Sequence, residues 1–170
     1  MGMDRRLFLR IIGSGGVSMV AGCPEGVSGC PELKLDNEAT YDTRYPDGGF
    51  HNENGIDMVV SEAGIADFVW DGLRESDEQW IRETDFEQAV VIGLREAAGG
   101  SNTSDFEFLG IEWEEDRVLH AYSCIEEIGG ADIALKYSIL LRVSYENQLP
   151  TNARYSHWEE GIKRTYETSE

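Results

Sequence analysis

The sequence predicts a mainly β fold with two short helices, a small antiparallel sandwich or open barrel. Three observations carry that prediction. Residues 135–145 alternate strictly, with Leu135, Tyr137, Ile139, Leu141, Val143 and Tyr145 on one phase. Residues 89–94 form an unbroken apolar run suited to a central strand. Gly, Pro, Asn and Asp punctuate the chain between short apolar segments, as strand-and-turn folds require.

Taken in order, residues 24–55 are rich in turn signals: Cys30-Pro31, Asp36-Asn37, Tyr45-Pro46-Asp47-Gly48-Gly49 and Asn52-Glu53-Asn54-Gly55. Residues 23–55 therefore read as a stalk or N-terminal arm, with one short strand at 32–35. Residues 56–60 are apolar enough for a strand. Ile65, Phe68, Val69 and Leu73 recur at helical spacing behind Ser61, a candidate N-cap. Ser76-Asp77-Glu78-Gln79 fits a capping box before Trp80 and Ile81. From Gln88 onward the pattern is β. Phe106 and Phe108 lie on one phase and Ile111 and Trp113 on the other, so a bulge is expected near Gly110. A polar turn at 114–117 leads into a strand at 118–125. Pro150 ends the β-rich domain, 56–150, and 151–170 reads as a polar tail whose Trp158 and Tyr166 pack back. Four or more strands in an antiparallel meander, with the helices at one edge, complete the expected architecture.

The length of 170 residues suits one domain. Charge is the dominant compositional feature: 14 Lys+Arg face 33 Asp+Glu, a formal −19, and only Lys34, Lys136 and Lys163 are lysines. Self-repulsion at that density opposes folding at low salt, whereas at molar salt the Debye length falls to about 3 Å and the repulsion is screened. Abundant carboxylates with few lysines resemble proteins of extreme halophiles, haloarchaea in particular. A basic protein partner would also suit this charge. Nucleic-acid binding through phosphates is excluded by it.

The first 23 residues have three parts: a basic start, a short Gly/Ser-interrupted apolar stretch, and small residues before a cysteine. The apolar stretch is shorter than the roughly 20 residues a spanning helix needs. Arg5, Arg6, Phe8 and Leu9 resemble the twin-arginine export motif, with Asp4 where Ser or Thr is more usual. Val20-Ala21-Gly22-Cys23 resembles a lipobox. Together they make the chain similar to haloarchaeal twin-arginine-exported lipoproteins. That resemblance implies a cleaved signal at 1–22, a lipid on Cys23 and residence on the outer face of the cytoplasmic membrane. Two lipid chains suffice for stable anchoring. The run from Ala89 to Tyr145 is also similar to small secreted β-domains at the ends of some protease-complex subunits, a likeness that transfers no functional residue.

With Cys23 assigned to lipid, Cys30 and Cys124 remain, in a compartment where disulfides persist. A bond between them would staple the arm to the sheet; two unrelated thiols are the alternative. Asn102-Thr103-Ser104 matches a glycosylation acceptor in a turn-rich run.

No catalytic set stands out. Adjacent acidic pairs are no more frequent than this composition produces. His51, His120 and His157 lack metal-ligand spacing, and His120 with Cys124 lacks the later His and Met of a copper site. No loop matches the calcium pattern and no Gly-x-Ser-x-Gly occurs. Trp70, Trp80, Trp113 and Trp158 could line a sugar-binding face, but tryptophans more often serve the core. Neither metal nor cofactor is expected. The function expected is a surface-tethered, non-enzymatic binding or interaction lipoprotein of a halophilic envelope, partnered by the membrane and by an envelope protein or glycan. An extracellular hydrolase or processing accessory, and a structural envelope component, are the alternatives.

Overall fold

The computed structural model describes residues 30–46, 54–68, 73–98, 104–127, 135–146 and 148–168. The export motif, Cys23, His51, Trp70 and the Asn102 acceptor lie outside them. Eight strands are formed: β1 (Tyr41–Arg44), β2 (Gly55–Val59), β3 (Ala89–Ala98), β4 (Ser104–Glu114), β5 (Val118–Glu127), β6 (Leu135–Ser144), β7 (Asn152–Glu159) and β8 (Ile162–Glu167). They make two four-stranded sheets, ordered β1-β6-β3-β2 and β4-β5-β7-β8. The fold is mainly β with two short helices and an open sandwich, the class that the alternation predicts.

Period-two alternation explains the layers. Val90, Ile92 and Leu94 of β3 and Ile139, Leu141 and Val143 of β6 turn inward. They meet Ile111, Leu119, Ala121, Ala153 and Tyr155 of the second sheet. The opposite phase, Val91 and Leu140, packs on Ile65 and Phe68 of α1 (Ile65–Phe68) and Ile81 of α2 (Glu75–Arg82). The first sheet is thus covered on both faces, which is why residues 89–94 are apolar without interruption. Each fully buried Ile, Leu or Val there contributes about 1.5–3 kcal/mol.

Several local expectations are revised. The helices cover a face of the first sheet rather than an edge. The N-cap of α2 is Arg74, and Ser76 lies inside the helix, because Asp77 turns inward to pair with Arg44 of β1. Ser61 precedes the 3-10 turn Glu62–Gly64 without a side-chain cap. Residues 32–35 form no strand; the strand of that region is β1. The presumed tail at 151–170 holds β7 and β8, so the strands of the sandwich run from Tyr41 to Glu167 rather than 56–150. β5 and β7 run parallel, unlike a meander, because the chain makes one antiparallel pass through the first sheet as β6 between them.

The bulge occurs where the phase shift predicts, between Phe108 and Gly110. Phe106, Phe108 and Trp113 consequently all pack against the core beside Ile111. Gly110 has φ +130, and a Cβ there would come within 2.6 Å of Leu35 Cδ1. The arm can therefore lie across the bulge only over glycine. Next to Leu35, Glu38 bridges Glu112, and Ala39 N–H donates to Ile111 O at 2.9 Å. The same segment then enters the first sheet as β1, where Ser144 N–H donates to Thr40 O at 2.9 Å. One extended stretch covers the β4 edge and then joins the other sheet.

Candidate functional site

Two polar constellations and a cleft stand out among the described residues. The first constellation is on the outer face of the second sheet. The alternation that sends Leu119 and Ala121 inward sends His120, Tyr122 and Cys124 outward, beside Glu112 and Glu114 of β4 and Arg154, Ser156 and Trp158 of β7. His120 Nδ1 lies 2.6 Å from Glu114 Oε1 and 3.0 Å from the Tyr122 hydroxyl. Its Nε2 lies 2.8 Å from Ser156 Oγ, which in turn meets Thr165 Oγ1 at 3.0 Å. Tyr122 donates to Glu112 Oε1 at 2.6 Å, and Arg154 Nη1 donates to Glu114 Oε2 at 2.7 Å. Burial holds His120 below its ordinary imidazole value, against the opposing pull of Glu114. Burial and then Glu112 push the Tyr122 phenol up.

Carboxylate, imidazole and hydroxyl here follow the order of a nucleophilic relay. The surroundings do not serve one. Ser156 is 0% exposed. Its backbone amide faces β5 and that of His157 faces β8, since Thr168 N–H donating to Ala153 O sets the alternation of bonds along β7. Neither amide is left to stabilise an oxyanion. The arrangement fixes side chains; it does not present a nucleophile.

The second constellation lies between the sheets at the end where β3 finishes and β4 begins. Ser123 Oγ meets Tyr155 OH at 2.6 Å and His157 Nδ1 at 2.8 Å. Phe106 stacks on His157 with ring centroids 6.4 Å apart. Across the gap, Glu96 Oε1 accepts from Asn54 Nδ2 at 2.6 Å, and the Asn54 side chain accepts from Ala97 N–H at 2.8 Å. Burial and then Glu159 raise the Glu96 carboxyl to about 8, while burial and then Arg164 lower the His157 imidazole to about 4. Near neutral pH both groups are therefore uncharged, and the 4.0 Å approach of His157 Nε2 to Glu96 Oε1 is not an ion pair.

The cleft, of about 690 Å³, lies at the other end of the sandwich. Asn37 to Thr40 of the arm line it, together with Trp113, Arg117 and Tyr145. Trp113 and Tyr145 are half-buried and Arg117 is exposed.

Cys30 and Cys124 are joined by a disulfide with Cα atoms 5.5 Å apart. His120 and Cys124 share a face of β5, yet the imidazole serves Glu114 and Ser156 rather than the sulfur. Among the described residues no three His, Cys, Asp or Glu side chains converge as a metal site. No described helix is long and apolar enough to cross a membrane. The described tryptophans do not form one face: Trp80 packs by the helices, Trp113 against the core, and Trp158 on the outer face under Lys163. Sequence reasoning missed both constellations, since their members are scattered from Asn54 to Thr165. No protein family, curated protein or solved structure matches the chain.

Proposed function

We propose that the protein is a surface-tethered, non-enzymatic binding module, held outside a halophilic cell by a lipid on Cys23. The observation that carries this reading is the disulfide-fixed arm. Cys30 follows Cys23 closely, and its bond to Cys124 seats the arm across the second sheet, where residues 37–40 line the cleft. A tether entering there would hold a fixed face of the sandwich near the membrane. The cleft combines two half-buried aromatic rings with two amides, a guanidinium and the carboxylates of Glu38, Glu114 and Glu146. That chemistry suits a polar envelope ligand such as a glycan, or a peptide with exposed hydroxyls. The net charge of −19 keeps phosphate-rich polymers away.

Mass spectrometry of protein recovered from its own cells tests the placement: the first residue should be a lipidated Cys23. Recovery of a soluble cytosolic chain still carrying Met1 overturns it. For the cleft, Trp113→Phe, which keeps an aromatic ring against the core, should weaken retention on isolated envelope glycans; undiminished retention puts binding elsewhere.

A second reading, an extracellular hydrolase, is favoured by the Glu114, His120 and Ser156 order alone. Turnover of peptide or glycan substrates that disappears in Ser156→Ala would establish it.

A further inference from the structure

β8 ends its sheet, with no described strand beyond it. Ile162 to Thr165 and Glu167 are exposed, Ile162 at 57%. The other edges are blunted: the arm lies along β4, and β1 and β2 have four and five residues. Along β8 the backbone bonding alternates. Thr168 N–H donates to Ala153 O, so residues 162, 164 and 166 exchange bonds with β7, and Lys163, Thr165 and Glu167 turn N–H and C=O outward.

We propose that two copies of this chain pair along β8, antiparallel about a two-fold axis through Thr165, joining two four-stranded sheets into one of eight. The register follows from the sequence Ile162-Lys163-Arg164-Thr165-Tyr166-Glu167. Symmetric pairing that joins the outward residues can centre on any position from Lys163 to Glu167. Centring on Lys163, Arg164 or Glu167 sets that charge against its own copy. Centring on Tyr166 opposes no unlike charges. Centring on Thr165 alone sets Lys163 against Glu167 of the second copy twice over, and Arg164 against Tyr166, where a guanidinium can lie by the ring. In that register each outward pair exchanges two backbone hydrogen bonds. Charged residues on an edge usually prevent pairing; here their order makes the edge complementary to itself.

Electrostatics set the conditions. Two bodies of −19 repel at low salt, whereas at molar salt the Debye length of about 3 Å removes the long-range term and leaves side chains in direct contact. Pairing therefore strengthens as salt rises. It rests on neither the lipid anchor nor the cleft.

The test is sedimentation equilibrium of the full chain in molar potassium chloride. The wild type should form a dimer. Lys163→Glu alone and Glu167→Lys alone should each weaken association by about tenfold, because like charges replace two opposite pairs. Mixing the two variants should restore a one-to-one dimer. Thr165→Pro removes an outward N–H and leaves the backbone bonds to β7, losing only the Thr165 Oγ1 contact with Ser156, so it should fold at lower stability and remain monomeric. Carbodiimide coupling of labelled and unlabelled chains should join Lys163 to Glu167 between copies, as the two lie about 13 Å apart within one strand. A wild type that stays monomeric at every concentration overturns the proposal. So does a dimer indifferent to Thr165→Pro and to both charge reversals.

Discussion

Glu96 Oε1 lies 4.0 Å from His157 Nε2 across the gap between the sheets, with both side chains buried. Their proton affinities move apart, and the consequences for stability have opposite signs. Glu96 rises from 4.5 to about 8, so the folded state holds a proton that the unfolded chain releases. Its contribution is complete below about 4.5 and is lost as pH rises through about 8. His157 falls from 6.5 to about 4, so its contribution is present above about 6.5 and is lost as pH falls through about 4. Between 4.5 and 6.5 the two slopes offset each other. From 6.5 to about 8 only Glu96 acts, and stability should decline by up to about 1.4 kcal/mol per pH unit. Glu96→Gln should flatten that decline when thermal midpoints are compared across pH in molar salt. An unchanged slope would show that Glu96 is ionised in the folded protein throughout.

Ser156 is held by His120 on one side and Thr165 on the other. Ser156→Ala strands a buried imidazole nitrogen, which should cost about 1–3 kcal/mol. Denaturant unfolding reads this directly. Ser156→Cys, a milder change in shape, should recover part of the loss.

The β-fold was legible wherever one face of a strand is apolar and the other is not. β6 shows this best: its inward phase reads straight from the alternation, and Leu140 on the other phase is buried only because α1 and α2 cover that face. β7 was not legible. Its inward positions are Ala153, Tyr155 and His157, and Ser156 opposite them is also buried, so half of its interior is polar. Those groups find partners in Ser123, His120 and Thr165, which only the folded topology brings near, although His157 Nε2 has none among the described residues. β8 failed for a different reason: its residues are almost all exposed, and its place is set by the Glu160-Gly161 turn, where both φ angles are positive. Of the candidate site, the disulfide was legible only as one of two alternatives, once the lipobox resemblance set Cys23 aside. Neither the cleft nor the constellations could be: each constellation joins residues of three or more strands, and the cleft joins the arm to the ends of β4 and β6 and the loops after them.

The disulfide spans 94 residues, and closing a loop of that length limits the unfolded chain by about 4–5 kcal/mol in the entropy picture. Reduction in molar salt should therefore lower the thermal midpoint. It should also free the arm, so amide exchange should quicken first at Ala39 and Trp113, whose bonds tie the arm to β4. Loss of midpoint with those two amides still protected would show that Leu35 over Gly110 holds the arm by itself.

Arg44 of β1 pairs with Asp77, whose carboxylate is buried in the first turn of α2 with Oδ2 unpartnered among the described residues. This contact and Arg142 join α2 to the first sheet: Arg142 donates to Trp80 O at 2.6 Å and to Thr84 Oγ1 at 3.0 Å. Arg44→Ala leaves a buried charge without its counter-ion. Breaking a fully buried pair costs about 3–5 kcal/mol, and partial exposure of Arg44 brings the expected loss to about 2–3 kcal/mol. Arg44→Ala combined with Asp77→Asn removes the stranded charge and should recover at least half of that loss. The order of the two variants is the decisive reading, since a contact that merely packed α2 would make the double substitution worse than the single one. Chemical denaturation of the wild type, the single and the double variant in molar salt supplies the comparison.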